Sequence, residues 1–426
     1  MSLKLATFKV DVTCPVGHPL TAGWKEPAVA CADPLYAVGI VLFGPEKPVV
    51  LCAVDWCEIS NESHMMWRTQ LAAACNTDAD HVAVQTTHPH CTPWPDEEAQ
   101  RLVSQHAGLR HVMQPDFCHA ALKRVAAAIR EAVTAARSLT HITTGQARIE
   151  HLASNRRVMG DDGKVKAVRW TVTKDPEVRK APEGLIDPWL KTIGFWDGDE
   201  KVAAAHYYAV HNTSYDDDLI ITNDFLGLAR ERRAAEEPRV THIFFNGCAG
   251  NITAGKYNNG DHGNREVFTR RIHAGIIAAE TTAKRVAVNT FRWHVTPVFL
   301  PPGTDMNEPD MQAILSDPAA PEKFRIKAAI KLAGLRRQGI PIPIGCLKFE
   351  DLAHVVHLPG ESFIEYQLFA QEQSSADWVA VPSYGDCGPG YICMDRSYAE
   401  GGYEPTDSFV SPGVESVMKD AISKIL

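Results

Sequence analysis

His81-Val82-Ala83-Val84-Gln85-Thr86-Thr87-His88-Pro89-His90-Cys91-Thr92-Pro93 is the stretch on which the reading of this chain turns. The apolar run at 81–84 reads as a buried strand, and Pro89 breaks its pattern. His88 and His90 therefore belong at a strand end or in the loop that follows it. Open α/β sheets keep their chemistry at that address. Imidazole is the commonest protein ligand for zinc, and His-x-His holds two of them on one short, stiff segment. By itself such a pair is more often an ordinary surface or hydrogen-bonded pair of histidines than a metal site.

Working outward, residues 35–43 and 49–54 bracket Gly44-Pro45-Glu46-Lys47-Pro48 and predict a hairpin. A helical pattern over 61–75 then leads into the strand that carries the histidines. Strand, helix and strand over this length form a βαβ unit, which implies parallel strands. An amphipathic helix is expected over 115–138, with Ala120, Val125, Ile129 and Val133 on one side. Residues 142–147 predict a strand, and 192–196 with 202–210 a second hairpin. The run at 240–245 empties into the glycine-rich segment Asn246-Gly247-Cys248-Ala249-Gly250-Asn251-Ile252-Thr253-Ala254-Gly255, followed by a helix over 265–286. Residues 302–345 read as a helical insertion, 355–361 as a strand ending in an acidic turn, and the last helix starts near Pro412. No internal repeat or low-complexity linker appears. The expected fold is α/β, with mixed, largely parallel sheets flanked by helices in one large domain spanning 1–426.

The composition sets limits on function. With 45% hydrophobic and 22% charged residues over 426 positions, the chain has the balance of a soluble globular protein. A net charge of −9 with no dense basic face argues against nucleic acid as a partner. Eleven scattered cysteines without a CxxC, among them Cys31, Cys52, Cys75, Cys118 and Cys248, read as buried free thiols of a reducing compartment. No signal-like N-terminus and no run of 18 apolar residues is present, so a cytoplasmic chain with no stable membrane insertion is expected. The oligomeric state is not encoded in any of these features.

Several polar groups share the address of the first histidines, the end of an apolar run: His88 and His90, His211, Thr253 and Glu361. Two histidines and a glutamate from separate strands would make a tripodal nitrogen-and-oxygen site. Zinc suits that set better than magnesium or calcium, which prefer oxygen shells. The ordinary alternatives are a hydrogen-bonded turn histidine at His211 and a first-turn glutamate at Glu361.

Together these segments resemble the catalytic domain of the neutral/alkaline, non-lysosomal ceramidase family. Thr87-His88-Pro89-His90-Cys91-Thr92-Pro93 is similar to that family's His-Thr-His-Ser-Gly-Pro, and Asn155-Arg156 to its Asn-Arg loop. Ala209-Val210-His211-Asn212-Thr213-Ser214 resembles its Val-His-Gly-Thr-Ser, and Cys248-Ala249-Gly250-Asn251-Ile252-Thr253 its Ala-Gly-Asp-Val-Ser. Leu358-Pro359-Gly360-Glu361 and the pair Tyr391 and Tyr403 complete the order. The resemblance implies one zinc held by His88, His211, Glu361 and Tyr391. It places His90, Arg156 and Tyr403 around the scissile carbonyl, with Thr253 as an assisting catalytic residue at the family's serine position and hydrolysis by metal-activated water. The family serine is Thr253 here, its aspartate is Asn251, and Cys91-Thr92 replaces Ser-Gly. The expected domain carries no C-terminal immunoglobulin-like partner.

The expected function is zinc-dependent hydrolysis of an amide or ester of a small polar molecule. The polar segments that follow the histidines (Thr92, Trp94, Asp96, Glu97), His211 (Tyr215-Asp216-Asp217-Asp218) and Thr253 (Lys256-Tyr257-Asn258-Asn259) are expected to form its rim. The alternatives are a non-catalytic metal- or ligand-binding homologue and a true ceramidase acting on N-acylsphingosine. A Thr253 nucleophile ranks third, since no Gly-x-Ser-x-Gly elbow exists.

Overall fold

The computed structural model describes residues 2–215 and 218–426. Three sheets make up the centre. The first runs Val82–Thr86, Val49–Val54, Tyr36–Phe43, Lys4–Asp11, Arg137–Ser138; the second Thr241–Asn246, Glu200–Tyr208, Trp189–Asp197, His141–Arg148, Lys284–Ala287. The third is Arg292–Val298, Ile342–Phe349, Ala353–His357 and Val379–Ala380.

Alternation along the strands shows how these sheets stack. In Tyr36–Phe43, Val38, Ile40 and Leu42 enter one core with Ile193, Phe195 and Ala205 of the second sheet and Leu347 and Val355 of the third. Ala37 and Val41 of the same strand face the other way, into a core shared with Trp67 and Leu71 of helix Asn61–Ala74 and Leu122, Val125 and Ile129 of helix Pro115–Ala132. On the far side of the second sheet, Leu190, Tyr208 and Phe244 pack with Phe225 and Leu226 of helix Asp224–Glu236 and Phe268, Ile272 and Ile276 of helix Gly263–Thr281. The third sheet is covered by helices Ile364–Gln373 and Val414–Ile425. The order is therefore helix, sheet, sheet, helix.

The βαβ unit expected around the histidines is present: Val49–Val54 pairs in parallel with Val82–Thr86 across helix Asn61–Ala74. Both hairpins are antiparallel, as expected. The sheets are mixed, but the expectation of largely parallel pairing is corrected. Within the first sheet only the Val49–Val54/Val82–Thr86 pair is parallel, and within the second only Glu200–Tyr208/Thr241–Asn246. Strands buried on both faces lose the alternation that marks an antiparallel sheet with one wet face, and here the second sheet supplies the extra cover. Two boundaries also move. Helix Gly263–Thr281 stops before Val286, which joins the exposed edge strand Lys284–Ala287. The region at 302–345 holds helices Glu308–Ser316 and Glu322–Arg336, but its end belongs to strand Ile342–Phe349. No cysteine forms a disulfide; ten are buried and Cys31, expected inside, is exposed. Among the described residues no helix is long and apolar enough to cross a membrane.

One buried ion pair ties the strand ends to the outer helices. Arg230 donates to both oxygens of Asp55 at 2.8 and 2.7 Å, and both side chains are fully buried. Asp55 also accepts from the Thr87 hydroxyl and the Tyr36 amide. The residue before His88 is thereby anchored to the end of the neighbouring strand.

Candidate active site

The loops that leave all three sheets at one end are stitched together by backbone hydrogen bonds. Thr87 N–H donates to Val54, His88 N–H to Trp56, His211 N–H to Ile252, Gly250 N–H to Ser362, and Ser383 N–H to Asn246. His88 adopts φ of +64°, a left-handed conformation that costs a β-carbon-bearing residue roughly 1–2 kcal/mol. Such strain persists where surrounding contacts over-determine it, and functional sites are its usual place.

His88, His211 and Glu361 converge. The His88 and His211 Nε2 atoms are 3.3 Å apart, and Glu361 Oε2 lies 3.4 Å from the first and 3.3 Å from the second. Each imidazole has its other nitrogen fixed: His88 Nδ1 is 2.9 Å from the Cys57 carbonyl, and His211 Nδ1 is 2.9 Å from the Ala249 carbonyl. A carbonyl only accepts, so both Nδ1 atoms carry the proton and both Nε2 atoms present lone pairs. Two lone pairs and a carboxyl oxygen thus face one another inside the protein, and Glu361 Oε2 has no hydrogen-bond partner among the described residues. The arrangement is repulsive unless a proton or a metal cation stands between them. Donors held about 2.0–2.2 Å from a tetrahedral ion lie about 3.3–3.6 Å from each other, which is the spacing here. The residues fit a metal ion. Burial, with His90 close by, holds His88 well below the ordinary imidazole value. Burial, with Arg156 and His88 nearby, does the same at His211. Burial pushes Glu361 up to about 8, against the pull of Arg156 and a hydrogen bond from Tyr391.

The other residues singled out in the sequence sort into two groups. His90, half-buried, places Nε2 3.2 Å from His88 Nε2 and belongs to the same histidine cluster. Tyr391 is paired with Glu361 across a short parallel ladder, which sets the two side chains beside each other. Its hydroxyl accepts from Arg156 Nη1 at 3.0 Å. Arg156 is carried by strand Ser154–Asn155, paired to Ile252–Thr253, and its guanidinium carbon lies 5.6 and 5.7 Å from the Tyr391 and Tyr403 ring centroids. Tyr403 stands edge-on to Tyr391 and to Trp170 and hydrogen-bonds Asp407. Thr253 stays with its own loop: its Oγ1 accepts from Gly255 N–H, and its link to the cluster runs through the neighbouring Ile252 carbonyl, which accepts from His211 N–H.

A solvent-open cleft of about 230 Å³ leads to His88, His90, Glu361 and Tyr391. Its rim differs from the expected one. Of the polar segments named from the sequence, only Trp94 lines it. Asp96 caps helix Glu97–Val103, Glu97 pairs with His119, Lys256 donates to the carbonyls of Arg179 and Ala181, and Tyr215 stacks on His262 and Arg265. Asp216 and Asp217 lie outside the described residues. The walls are instead Trp24, Trp94, Tyr403 and Phe409, with Lys25, Lys323, Glu58 and Asp407 as charged groups. Lys323 comes from helix Glu322–Arg336, so the inserted region reaches the cleft, and its ammonium stands 5.3 Å above the Trp24 ring centroid. Glu58 shares the strand-end address of the histidines, three residues past Asp55. The address was the available signal, whereas Trp24, Lys25 and Lys323 carry no pattern that marks them.

A second histidine group, His206, His242 and Glu280, does not fit a metal. Thr192, His206, His242 and Glu237 form a continuous hydrogen-bonded chain, and Glu280 already pairs with Lys201 and Arg233.

The chain superposes on a solved structure of the neutral ceramidase from Pseudomonas aeruginosa with a TM-score of 0.74 at 16% identity, over 100% of this chain and 74% of that one. A ceramidase complexed with C2 gives 0.72 at 16% identity, over 100% of this chain and 75% of the other. No family model and no curated protein matches the chain. The fold is that of the neutral ceramidases, as the resemblance in the sequence implied.

Proposed function

We propose that the chain is a zinc-dependent hydrolase that cleaves an amide, or an ester, of a small polar molecule. The observation that carries this reading is the meeting of His88 Nε2, His211 Nε2 and Glu361 Oε2 at 3.3–3.4 Å, with both imidazole tautomers fixed by carbonyls. A set of two nitrogens and a carboxylate suits zinc, and Tyr391 completes it beside Glu361. When bound, zinc polarises a carbonyl and lowers the pKa of water.

The chain's own residues supply the rest. The Arg156 guanidinium, buried beside Tyr391 and Tyr403, offers permanent positive charge where a carbonyl oxygen gains negative charge. Tyr403 donates a hydrogen bond to the same oxygen. His90, the one half-buried imidazole of the three, carries the proton to the leaving group. Retention of Arg156, Tyr403 and His90 beside the ligands favours turnover over binding alone. Lys25, Lys323, Glu58 and Asp407 along the cleft favour a polar substrate over a long acyl chain, which would desolvate them without offering hydrogen bonds.

The test compares metal-loaded and chelator-treated protein on small N-acyl amides and esters, N-acetylated sugars and amino acids included, and on a long-chain ceramide in detergent. The reading expects hydrolysis of small substrates that disappears with the metal. Cleavage of the ceramide alone would overturn the substrate assignment, and cleavage of nothing would overturn the hydrolase.

A further inference from the structure

Glu58 is a buried carboxyl of the cleft that the proposed chemistry leaves unused. Its side chain is 2% exposed, yet it lines the cleft beside His88, Glu361 and Tyr391. Its Oε2 has no hydrogen-bond partner among the described residues. Its approach to His88 is 3.9 Å, too long for a hydrogen bond, and it is to Nδ1, whose proton already goes to the Cys57 carbonyl. Glu58 therefore stands on the opposite side of the His88 ring from the nitrogen that faces the three-donor cluster. Burial, with Glu361 and Asp386 close by, holds its carboxyl well above the usual carboxylate range. Lys25, which lines the same cleft, acts on the adjacent Cys57. A buried carboxyl oxygen without a partner is strongly unfavourable, and the cleft that Glu58 lines is the direction from which a partner can come.

We infer that Glu58 is a specificity-determining residue whose Oε2 accepts a hydrogen bond from a hydroxyl or ammonium group on the substrate, close to the scissile bond. The inference rests on the reading of the cleft as an amide-hydrolase site. Ligand-type atoms, one each from Glu58, His88 and Glu361, lie within 4.8 Å of one another, so Glu58 stands next to the proposed cluster. An extended N–C–C–X spacer reaches about 3.7 Å from the amide nitrogen, so a donor two carbons away meets Glu58 while the carbonyl stays at the cluster. Methyl in place of that donor leaves the carboxylate unpartnered, and sites built on such a bond reject the analogue that lacks it.

Three matched amides serve as probes: N-acetylethanolamine, N-acetylethylenediamine and N-propylacetamide, which differ only in a terminal hydroxyl, ammonium or methyl. The zinc-loaded chain should prefer a donor-bearing probe over the methyl one by roughly 10- to 150-fold in kcat/KM, the range for a hydrogen bond to a charged group. That ratio should fall towards one in Glu58→Leu. In Glu58→Gln, which keeps an acceptor but no charge, an ammonium preference should collapse and a hydroxyl preference should partly survive. Zinc content measured in parallel should stay at the wild-type level in both variants. No preference in the wild type, a preference that survives Glu58→Leu, or loss of zinc on substitution would each overturn the assignment. If Glu58→Leu does not fold, the ammonium-to-methyl and hydroxyl-to-methyl ratios in Glu58→Gln decide: both staying at the wild-type value overturns it. Should the wild type hydrolyse none of the three, the hydrolase reading fails. The same ratios in Kd, taken by calorimetry, then decide the role of Glu58 separately.

Discussion

Replacing Tyr403 by phenylalanine removes one oxygen and little else. The ring keeps its edge contacts with Tyr391 and Trp170, and the half-buried position tolerates the change, so the fold should lose no more than about 1 kcal/mol. The hydroxyl is hydrogen-bonded to Asp407, whose carboxylate also takes the ammonium of Lys327. To serve a developing oxyanion the Tyr403 proton must leave Asp407, and Lys327 keeps that carboxylate satisfied when it does. The net gain is the difference between two charge-assisted hydrogen bonds, which places the loss at the lower end of the usual range for such a donor. About 100-fold in kcat is expected, against roughly 100- to 1,000-fold for an oxyanion donor in general. KM and zinc content should change little. Steady-state kinetics on whichever small amide the chain cleaves, with metal analysis of the same sample, reads all three. Loss of zinc would mean that Tyr403 and not Tyr391 is the phenolic ligand, and a rate within threefold of wild type would remove Tyr403 from the chemistry.

Further outcomes follow from the same geometry. Thr253→Ala should lower activity without abolishing it, because the hydroxyl is engaged by Gly255 N–H and only its loop touches His211; an acyl group trapped on Thr253, seen by mass spectrometry, would contradict this. Arg230→Met strands the buried Asp55 carboxylate and should cost about 3–5 kcal/mol. With an unfolding entropy of about 2.1 cal/mol/K per residue, that is a Tm lowered by about 3–6 °C in calorimetry, and an unchanged Tm would refute the structural role of the pair. Acid should destabilise the fold. Burial lowers His18 and His64 to about 4 and His206, His242 and His357 to about 3, so these rings are neutral when folded and charge more readily when unfolded. Their stabilisation is complete above about pH 6.5 and is lost as pH falls towards 3–4, by up to about 1.4 kcal/mol per pH unit for each group. His88 and His211, also held low, add to this effect, while Asp96, raised to about 7 by burial, and the raised Glu361 and Glu58 work in the opposite sense and are outnumbered. Denaturant midpoints of metal-free protein between pH 7.5 and 5 should therefore fall, and a flat profile would refute the neutral histidines.

The part of the site that was legible in the sequence lies directly at strand ends. His88, His211 and Glu361 each follow an apolar run within a few residues, so local pattern alone put them at one address. Tyr391, Arg156 and Tyr403 sit on two-residue strands and irregular turns with no periodicity, and only the ordered resemblance to a family singled them out. The rim was misread because residues such as Asp96 and Lys256 are polar in order to cap a helix or to satisfy loop carbonyls, and composition does not distinguish that duty from facing a ligand. Trp24 and Lys323 reach the cleft from opposite parts of the chain, through packing that no local window contains. The pairing of the sheets was misread for a related reason. Tyr36–Phe43 is buried on both faces by a second sheet, and its continuous apolar sequence looks like that of a parallel strand.

The proposed function stands on a zinc ion held by His88, His211 and Glu361. Elemental analysis of the purified chain, beside His88→Ala, His211→Ala and Glu361→Gln, tests it most directly. About one zinc per chain is expected in the wild type, with most of it lost in each variant, since three protein ligands are the usual minimum of a catalytic zinc site. Full retention of metal in all three variants would contradict the claim.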